Sequence, residues 1–214
     1  MAKPLKIDFI SDISCGWCAV GLRAVEEAIR NIGSEALAEF HFQPFELNPK
    51  MPAGGENLID HLNHKYGPSA AEQYFSATRA NGAAVGFEFN LNEDSRIYNT
   101  FDAHRLLHWA SLTGNQTELS HAFFEAHFTQ NRDPSDHDVL LACVAVAQLD
   151  VTEAGRVLAS NEFGDEVREL EANVEIMGVH AVPTIVINDQ YMISGSRSVA
   201  AFEQFLRKAL NPEP

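Results

Sequence analysis

Positive charge and cysteine are what this 214-residue chain has least of. Lys and Arg number 15 against 30 Asp and Glu, a formal net charge of −15, and there are three cysteines. The shortage of basic residues argues against nucleic acid and anionic membrane surfaces as partners, because neutralising phosphate takes clustered Lys and Arg. The acidic excess reads as a solvated surface rather than a site for basic substrates. Long apolar runs are missing too: none approaches the ~18–20 residues of a membrane span. Residues 1–6 run straight into a polar-interrupted strand, without the apolar segment of a secretory signal, so the expected location is the cytoplasm. What remains is ordinary globular composition. With 45% hydrophobic and 21% charged residues the chain can bury a real core, in one large domain or in a compact domain carrying an insertion.

Two of the three cysteines fall in the stretch Asp12-Ile-Ser-Cys-Gly-Trp-Cys-Ala-Val-Gly21. Residues 5–11 read as a short buried strand and residues 20–32 as an amphipathic helix, so Cys15 falls at a strand-to-helix junction. A helix N-terminus offers unpaired N–H groups and the positive end of a dipole, which favour a thiolate over a thiol. Cys18, one turn on, shares that face of the helix within disulfide reach. It is the natural resolving thiol, and is expected to be more covered than an exposed Cys15. Three readings of the pair are open: a redox couple, half of a zinc site, or two unrelated core cysteines. A zinc site takes four ligands, and neither a second Cys-x-x-Cys nor a suitably spaced His pair accompanies this one; His104 and His108 stand alone on a helix. No metal is expected, and in a reducing compartment the redox couple is favoured. Between the sulfurs, Gly16 permits a tight turn and Trp17 offers an apolar surface beside the reactive thiol. No histidine lies there to act as a nearby cation, which leaves the helix terminus as the main source of thiolate stabilisation.

Residues 38–46 alternate apolar and polar and predict a second strand with Phe40 and Phe42 facing the core, completing a strand–helix–strand unit of a parallel sheet. Two prolines and two glycines in residues 48–55 then break regular structure. Helices are predicted over residues 58–66, 70–80 (ending toward Asn81-Gly82), 98–112, 118–130, 136–149, 152–159 and 162–177, with a short extended piece at 86–90. In the 98–112 helix, Phe101, Leu106, Leu107, Trp109 and Leu112 are available for burial. The 136–149 helix has an acidic cap at Asp136 and is apolar nearly all round, so it is expected to be central. Strand composition returns at residues 183–188, followed by a turn at Asn188-Asp-Gln and a strand at 191–194, a hairpin. A last amphipathic helix spans 199–210, with Ser196 or Ser198 as its N-cap. No internal repeat is visible.

A second informative stretch is Val179-His-Ala-Val-Pro-Thr184, where a proline opens a strand. Alone this is unremarkable, since only one ladder donor is lost there. A Cys-x-x-Cys at the head of the first helix joined to a Val-Pro-Thr before a late hairpin resembles the thioredoxin fold. The helical region between them makes the chain similar to the DsbA family, in particular its FrnE-like branch of dithiol–disulfide oxidoreductases. Asn99-Thr-Phe-Asp-Ala-His-Arg-Leu-Leu-His-Trp109 and Ile193-Ser-Gly-Ser196 also resemble that branch, so the resemblance covers essentially the whole chain. It implies that Cys15 is the nucleophile, Cys18 the resolving cysteine and Pro183 a cis-proline packed over the disulfide. Val182 would offer its backbone to an extended substrate segment, with Gly16 and Trp17 also on the substrate-binding surface. One departure stands out: FrnE-like members usually carry proline where this chain has Gly16, at a position that tunes redox poise.

The expected fold is therefore α/β, a thioredoxin-like fold with a large all-helical insertion: residues 1–54 and 176–214 form the thioredoxin-like domain, and residues 55–175 form an inserted helical subdomain that roofs the active site. The expected function is thiol–disulfide exchange on a disulfide- or thiol-containing protein or small molecule, with a separate redox partner to recycle the dithiol. No cofactor is implied beyond the dithiol itself; glutathione is the candidate exchange partner. Neither nucleic acid nor membrane is an expected partner, and direction and oligomeric state are open. Two alternatives stand beside this reading. A kappa-type glutathione-dependent transferase or isomerase shares the insertion, but such relatives usually place serine where Cys15 stands. A non-enzymatic, chaperone-like peptide-binding module would need neither cysteine. Cys143 reads as a small core hydrophobe, and His104 and His108 as the polar edge of a helix packed on the sheet domain. His180 is near Pro183 by sequence alone, and Asp12 either modulates proton transfer or ends the strand.

Overall fold

The computed structural model describes residues 3–211. In chain order its elements are β1 (Lys3–Ser11), α1 (Gly16–Ile32), β2 (Ala36–Pro44), β3 (Glu56–Asn57), α2 (Leu58–Tyr66), α3 (Ala70–Ala84), β4 (Arg96–Ile97), α4 (Phe101–Ser111), α5 (Gln116–Phe124), α6 (His137–Val146), α7 (Val151–Leu158), α8 (Gly164–Ile176), β5 (Thr184–Ile187), β6 (Tyr191–Ser194) and α9 (Val199–Leu210).

Both ends of the chain build one four-stranded sheet, in the order β2-β1-β5-β6. β1 runs parallel to β2, as a strand–helix–strand crossover requires, and β5 and β6 close the sheet antiparallel. Side chains alternate between the faces of β1. Leu5, Ile7 and Phe9 join Ile185, Ile187 and Ile193 in the main core, whereas Ile10 and Val186 pack on the other side with Val174 of α8 and Val179. With both faces covered, β1 reads as an almost continuous buried run. The β5–β6 turn places Asn188 and Asp189 at positive φ (51° and 56°), a conformation their short polar side chains tolerate, and Gln190 N–H returns to Ile187 O at 3.1 Å. Ser198 caps α9, its Oγ accepting from Ala201 N–H, and α9 packs along α1 through Phe202 and Leu206.

Between β2 and β5 lie α2 to α8 and a two-stranded ribbon of β3 and β4. The apolar cluster of the sheet runs unbroken into these helices through Phe89, Leu106, Phe123 and Leu140. Arg105, buried in α4, donates to the carbonyls of Val157, Ser160 and Glu162, satisfying acceptors at the end of α7.

Tertiary packing overrides several local signals. α1 begins at Gly16 rather than at residue 20. Asn81-Gly82 does not end α3, which runs on to Ala84, because Gly82 serves a close approach to the Phe87 carbonyl and the Phe89 ring instead. Residues 86–90 join no ladder; Asn90 N–H donates to Phe128 O at 2.9 Å. The β3–β4 ribbon carries no sequence signal, its two residues per strand being too short for a period. Leu112, the C-cap of α4, is 68% exposed, and Val146 at the end of α6 is 72% exposed, so each turns to solvent and α6 is not surrounded. Phe42 is buried as expected, while Phe40, on edge strand β2, is half-buried. The helix over α5 continues as a π-helical turn, Glu125–Thr129.

Candidate active site

Cys15 is the N-cap of α1 and has extended backbone (φ −100°, ψ 106°). The preceding turn is closed by Cys15 N–H to Asp12 O at 3.0 Å, and Cys18 N–H to Cys15 O at 2.9 Å opens the helix. Both cysteines are free thiols. Cys18 is fully buried, and burial, followed by its contact with Cys15, pushes its thiol well above the ordinary thiol range. Cys15 corrects an expectation: it is only 7% exposed. Its sulfur sits 3.6 Å from the Val182 carbonyl, and residues of α3 stand over it.

The Val182–Pro183 peptide is cis, and the loop that carries it is tied on both sides. Thr184 Oγ1 donates to Ala181 O at 2.7 Å, and Gly195 N–H to Pro183 O at 2.7 Å. Gly21 lets α1 pass directly beneath: a Cβ there would lie 3.0 Å from Pro183 Cγ. Cys15, Cys18, Val182 and Pro183, 167 residues apart at the Cys15–Val182 contact, are thus brought together.

Cys15 opens onto a cavity of about 580 Å³. Trp17, Val182 and His180 line it from the sheet side; Leu62, Lys65 and Tyr74 line it from α2 and α3. Among the described residues no carboxylate lines this cavity, although the chain carries 30 of them; its basic lining is Lys65 with His61 and His180. Gly16 faces α3, where Tyr74 Oη accepts its N–H at 3.0 Å. A larger hollow of about 820 Å³ against α2 and α3 touches neither cysteine.

Under the site lies Asp12, 1% exposed. Its Oδ1 accepts from Thr100 Oγ1 (2.7 Å) and Ser14 N–H (3.1 Å), and its Oδ2 from Leu47 N–H (2.7 Å) and Ser14 Oγ (2.7 Å). One carboxylate therefore joins the end of β1, the cysteine turn, the segment after β2 and the start of α4. Burial opposes its ionisation, but His104 and the N–H groups of Leu47 and Ser14 outweigh that and hold Asp12 below the usual carboxylate range. His104 is 2% exposed, with Nε2 3.7 Å from Asp12 Oδ1, an ion-pair separation beyond hydrogen-bond length that leaves Nε2 without a partner. His108 does not join it: half-buried, it packs at a tilt against Phe163, ring centroids 5.2 Å apart, and burial lowers its basicity. Cys143 is buried in α6, far from the pair in sequence, its thiol pushed up to about 11 by burial. Among the described residues no group of three or more His, Cys, Asp or Glu is placed to hold a metal.

Sequence reasoning did not find Tyr74, Lys65, Thr100 or Leu47. Each lies in an unrelated helix or loop, and no local pattern links Tyr74 to Gly16, 58 residues earlier.

A dithiol at the head of the first helix, faced by a cis-proline loop across a four-stranded sheet, defines a thioredoxin-like protein. The model of the DSBA-like thioredoxin domain matches residues 6–207, and the chain belongs to that family. A probable DsbA oxidoreductase from Streptomyces coelicolor is 30% identical with a TM-score of 0.88, covering 98% of this chain and 92% of its own. The uncharacterized protein YwbO of Bacillus subtilis is 28% identical over 199 residues, 92% of this chain and 94% of that protein. The cytosolic disulfide reductase DsbM of Pseudomonas aeruginosa, solved with glutathione, shares the fold at 15% identity and a TM-score of 0.63, over 96% and 98% of the two chains. Among the described residues no helix is long and apolar enough to cross a membrane.

Proposed function

We propose that this protein is a thiol–disulfide oxidoreductase of the FrnE-like kind, working in the cytoplasm through the Cys15–Cys18 couple. The observation that carries the reading is Cys15 at the N-cap of α1, with its sulfur 3.6 Å from the carbonyl that precedes cis-Pro183 and a cavity in front of it. Cys15, as thiolate, attacks one sulfur of a substrate disulfide; a mixed disulfide forms and the other substrate sulfur leaves as a thiolate. Cys18 then loses its proton and attacks the Cys15 sulfur, releasing the second substrate thiolate and leaving a Cys15–Cys18 disulfide. The substrate gains two electrons and the protein loses two; the reverse sequence oxidises a substrate dithiol. Pro183 and Val182 present the strand-like docking edge, and Gly16 and Trp17 flank the sulfur. The high threshold for ionising buried Cys18 supports the division of labour, since it keeps Cys18 a thiol until the mixed disulfide forms next to it. Glutathione is the exchange partner to test first, in view of the DsbM complex.

Equilibration in glutathione buffers, followed by counting free thiols, tests the reading. A Cys15–Cys18 disulfide is expected to form, and Cys15→Ser to abolish turnover of a disulfide substrate. Full activity in Cys15→Ser refutes the reading. A potential near −270 mV would mark a reductase, and one near −120 to −180 mV an oxidant or isomerase, on the scale of known oxidoreductases.

A second reading, glutathione-dependent transfer or isomerisation, draws support from the cavity beside Cys15, whose charged lining is a lysine. It predicts conjugation of glutathione to an electrophile with no disulfide present.

A further inference from the structure

Tyr74 belongs to α3, in the helical region between the strands, yet it reaches the backbone between the two cysteines. Its hydroxyl oxygen accepts the N–H of Gly16 at 3.0 Å. Gly16 is the first residue of α1, so this donor is the first of those that a helix leaves without an internal partner. The fit leaves no room for a side chain at that position unless the Tyr74 hydroxyl moves away. A Cβ on Gly16 would collide with the Tyr74 hydroxyl, and would lie 3.1 Å from Phe89 Cε1 and 3.3 Å from Tyr74 Cζ. A proline there would also lack the N–H that Tyr74 accepts.

The other half of the hydroxyl is unused. Among the described residues the phenol hydrogen of Tyr74 is given to no protein acceptor, while Tyr74 and Cys15 line the same cavity. Burial, and after it the charge of Cys15, pushes ionisation of the phenol far upward, so Tyr74 remains a protonated donor at any physiological pH.

We propose that Tyr74 is a positioning residue for the dithiol: its oxygen fixes Gly16 at the start of α1, and its hydrogen turns onto the Cys15 sulfur whenever that sulfur carries negative charge. The proposal rests on the reading of Cys15 and Cys18 as a redox couple. It makes the helical region a determinant of how oxidising the couple is. A thiolate accepts such a hydrogen bond strongly and a disulfide sulfur accepts it weakly, so the bond favours the reduced protein.

The test is a double-mutant cycle on reduction potential, using wild type, Tyr74→Phe, Gly16→Ala and the double variant, each equilibrated in glutathione buffers, with a thermal melt of each to establish folding. Tyr74→Phe removes only the oxygen and its hydrogen. It is expected to shift the dithiol–disulfide equilibrium roughly tenfold toward the disulfide, a potential about 30 mV more negative. Gly16→Ala displaces the hydroxyl and is expected to move the potential the same way, while adding little once Tyr74 is Phe, so the two effects are not additive. The shift in Gly16→Ala alone keeps the proposal testable even if Tyr74→Phe folds poorly. An unchanged or more positive potential in Tyr74→Phe overturns the proposal, as do additive effects. If wild type forms no Cys15–Cys18 disulfide at any poise, the functional reading itself fails and takes the tyrosine's role with it.

Discussion

Replacing Asp12 by Asn changes one atom of a buried carboxylate and removes its charge, and the surrounding hydrogen bonds set the cost. Each oxygen accepts one hydroxyl and one backbone N–H: Thr100 Oγ1 and Ser14 N–H on Oδ1, Ser14 Oγ and Leu47 N–H on Oδ2. Whichever oxygen becomes the amide nitrogen, the hydroxyl facing it can rotate to accept, but the backbone N–H cannot. One buried N–H of Ser14 or Leu47 is left unsatisfied, at about 1–3 kcal/mol. The bonds that survive change from charge-assisted to neutral and lose about half their strength, on the order of a further 1 kcal/mol. A total loss of about 3 kcal/mol is expected, which for a chain of this size lowers the melting temperature by roughly 6–12 °C.

The same substitution carries a pH signature. Because the folded protein holds Asp12 below its ordinary range, the carboxylate stabilises the fold fully above its unfolded value of about 3.9, and this contribution is lost as pH falls through the depressed folded value. Asn does not titrate. The gap between wild type and Asp12→Asn is therefore expected to narrow as pH falls and to close below about pH 4. Urea unfolding at neutral and acid pH reads both quantities. A gap under about 1 kcal/mol at pH 7, or one that does not narrow in acid, refutes the accounting of this network.

Cys18→Ala is expected to accumulate a mixed disulfide between Cys15 and a substrate thiol, seen as a mass adduct on non-reducing analysis; rapid turnover without an adduct would mean that Cys18 does not resolve it. In the native protein, brief alkylation at pH 8 should spare both Cys18, whose thiol is raised by burial and by Cys15, and Cys143, raised to about 11; label on either before unfolding contradicts their burial. For Gly82→Ala two effects oppose each other. Alanine gains about 1 kcal/mol of helix propensity, but its Cβ would stand 2.6 Å from the rigid Phe87 carbonyl, an overpacking that costs about 1–3 kcal/mol. Net destabilisation is expected, and a raised melting temperature would show that the 82–89 turn yields.

Much of the fold was legible because its signals are local. Alternation marked β2, a helical period marked α2 and α9, and capping side chains placed the start of α6 at Asp136 and narrowed that of α9 to Ser196 or Ser198, of which Ser198 is the cap. The turn at Asn188 and Asp189 was legible for the same reason, since those residue types tolerate positive φ. Exposure was less legible: Leu112 and Val146 satisfy an apolar helix period and still face solvent, because nothing packs over them.

By itself the sequence determined that a Cys-x-x-Cys would stand at a strand-to-helix junction and that a proline-led hairpin would form late in the chain; that the two face each other was implied only by the resemblance to the DsbA family. The first two are properties of a few consecutive residues, fixed by backbone preferences and side-chain period. Only the tertiary structure decided that Cys15 is nearly buried, that Asp12 joins Thr100 and Leu47 beneath it, and that Tyr74 reaches the Gly16 N–H. The physical reason is separation along the chain. Contacts across 35 to 88 residues depend on how whole elements pack, and no window of local pattern contains them.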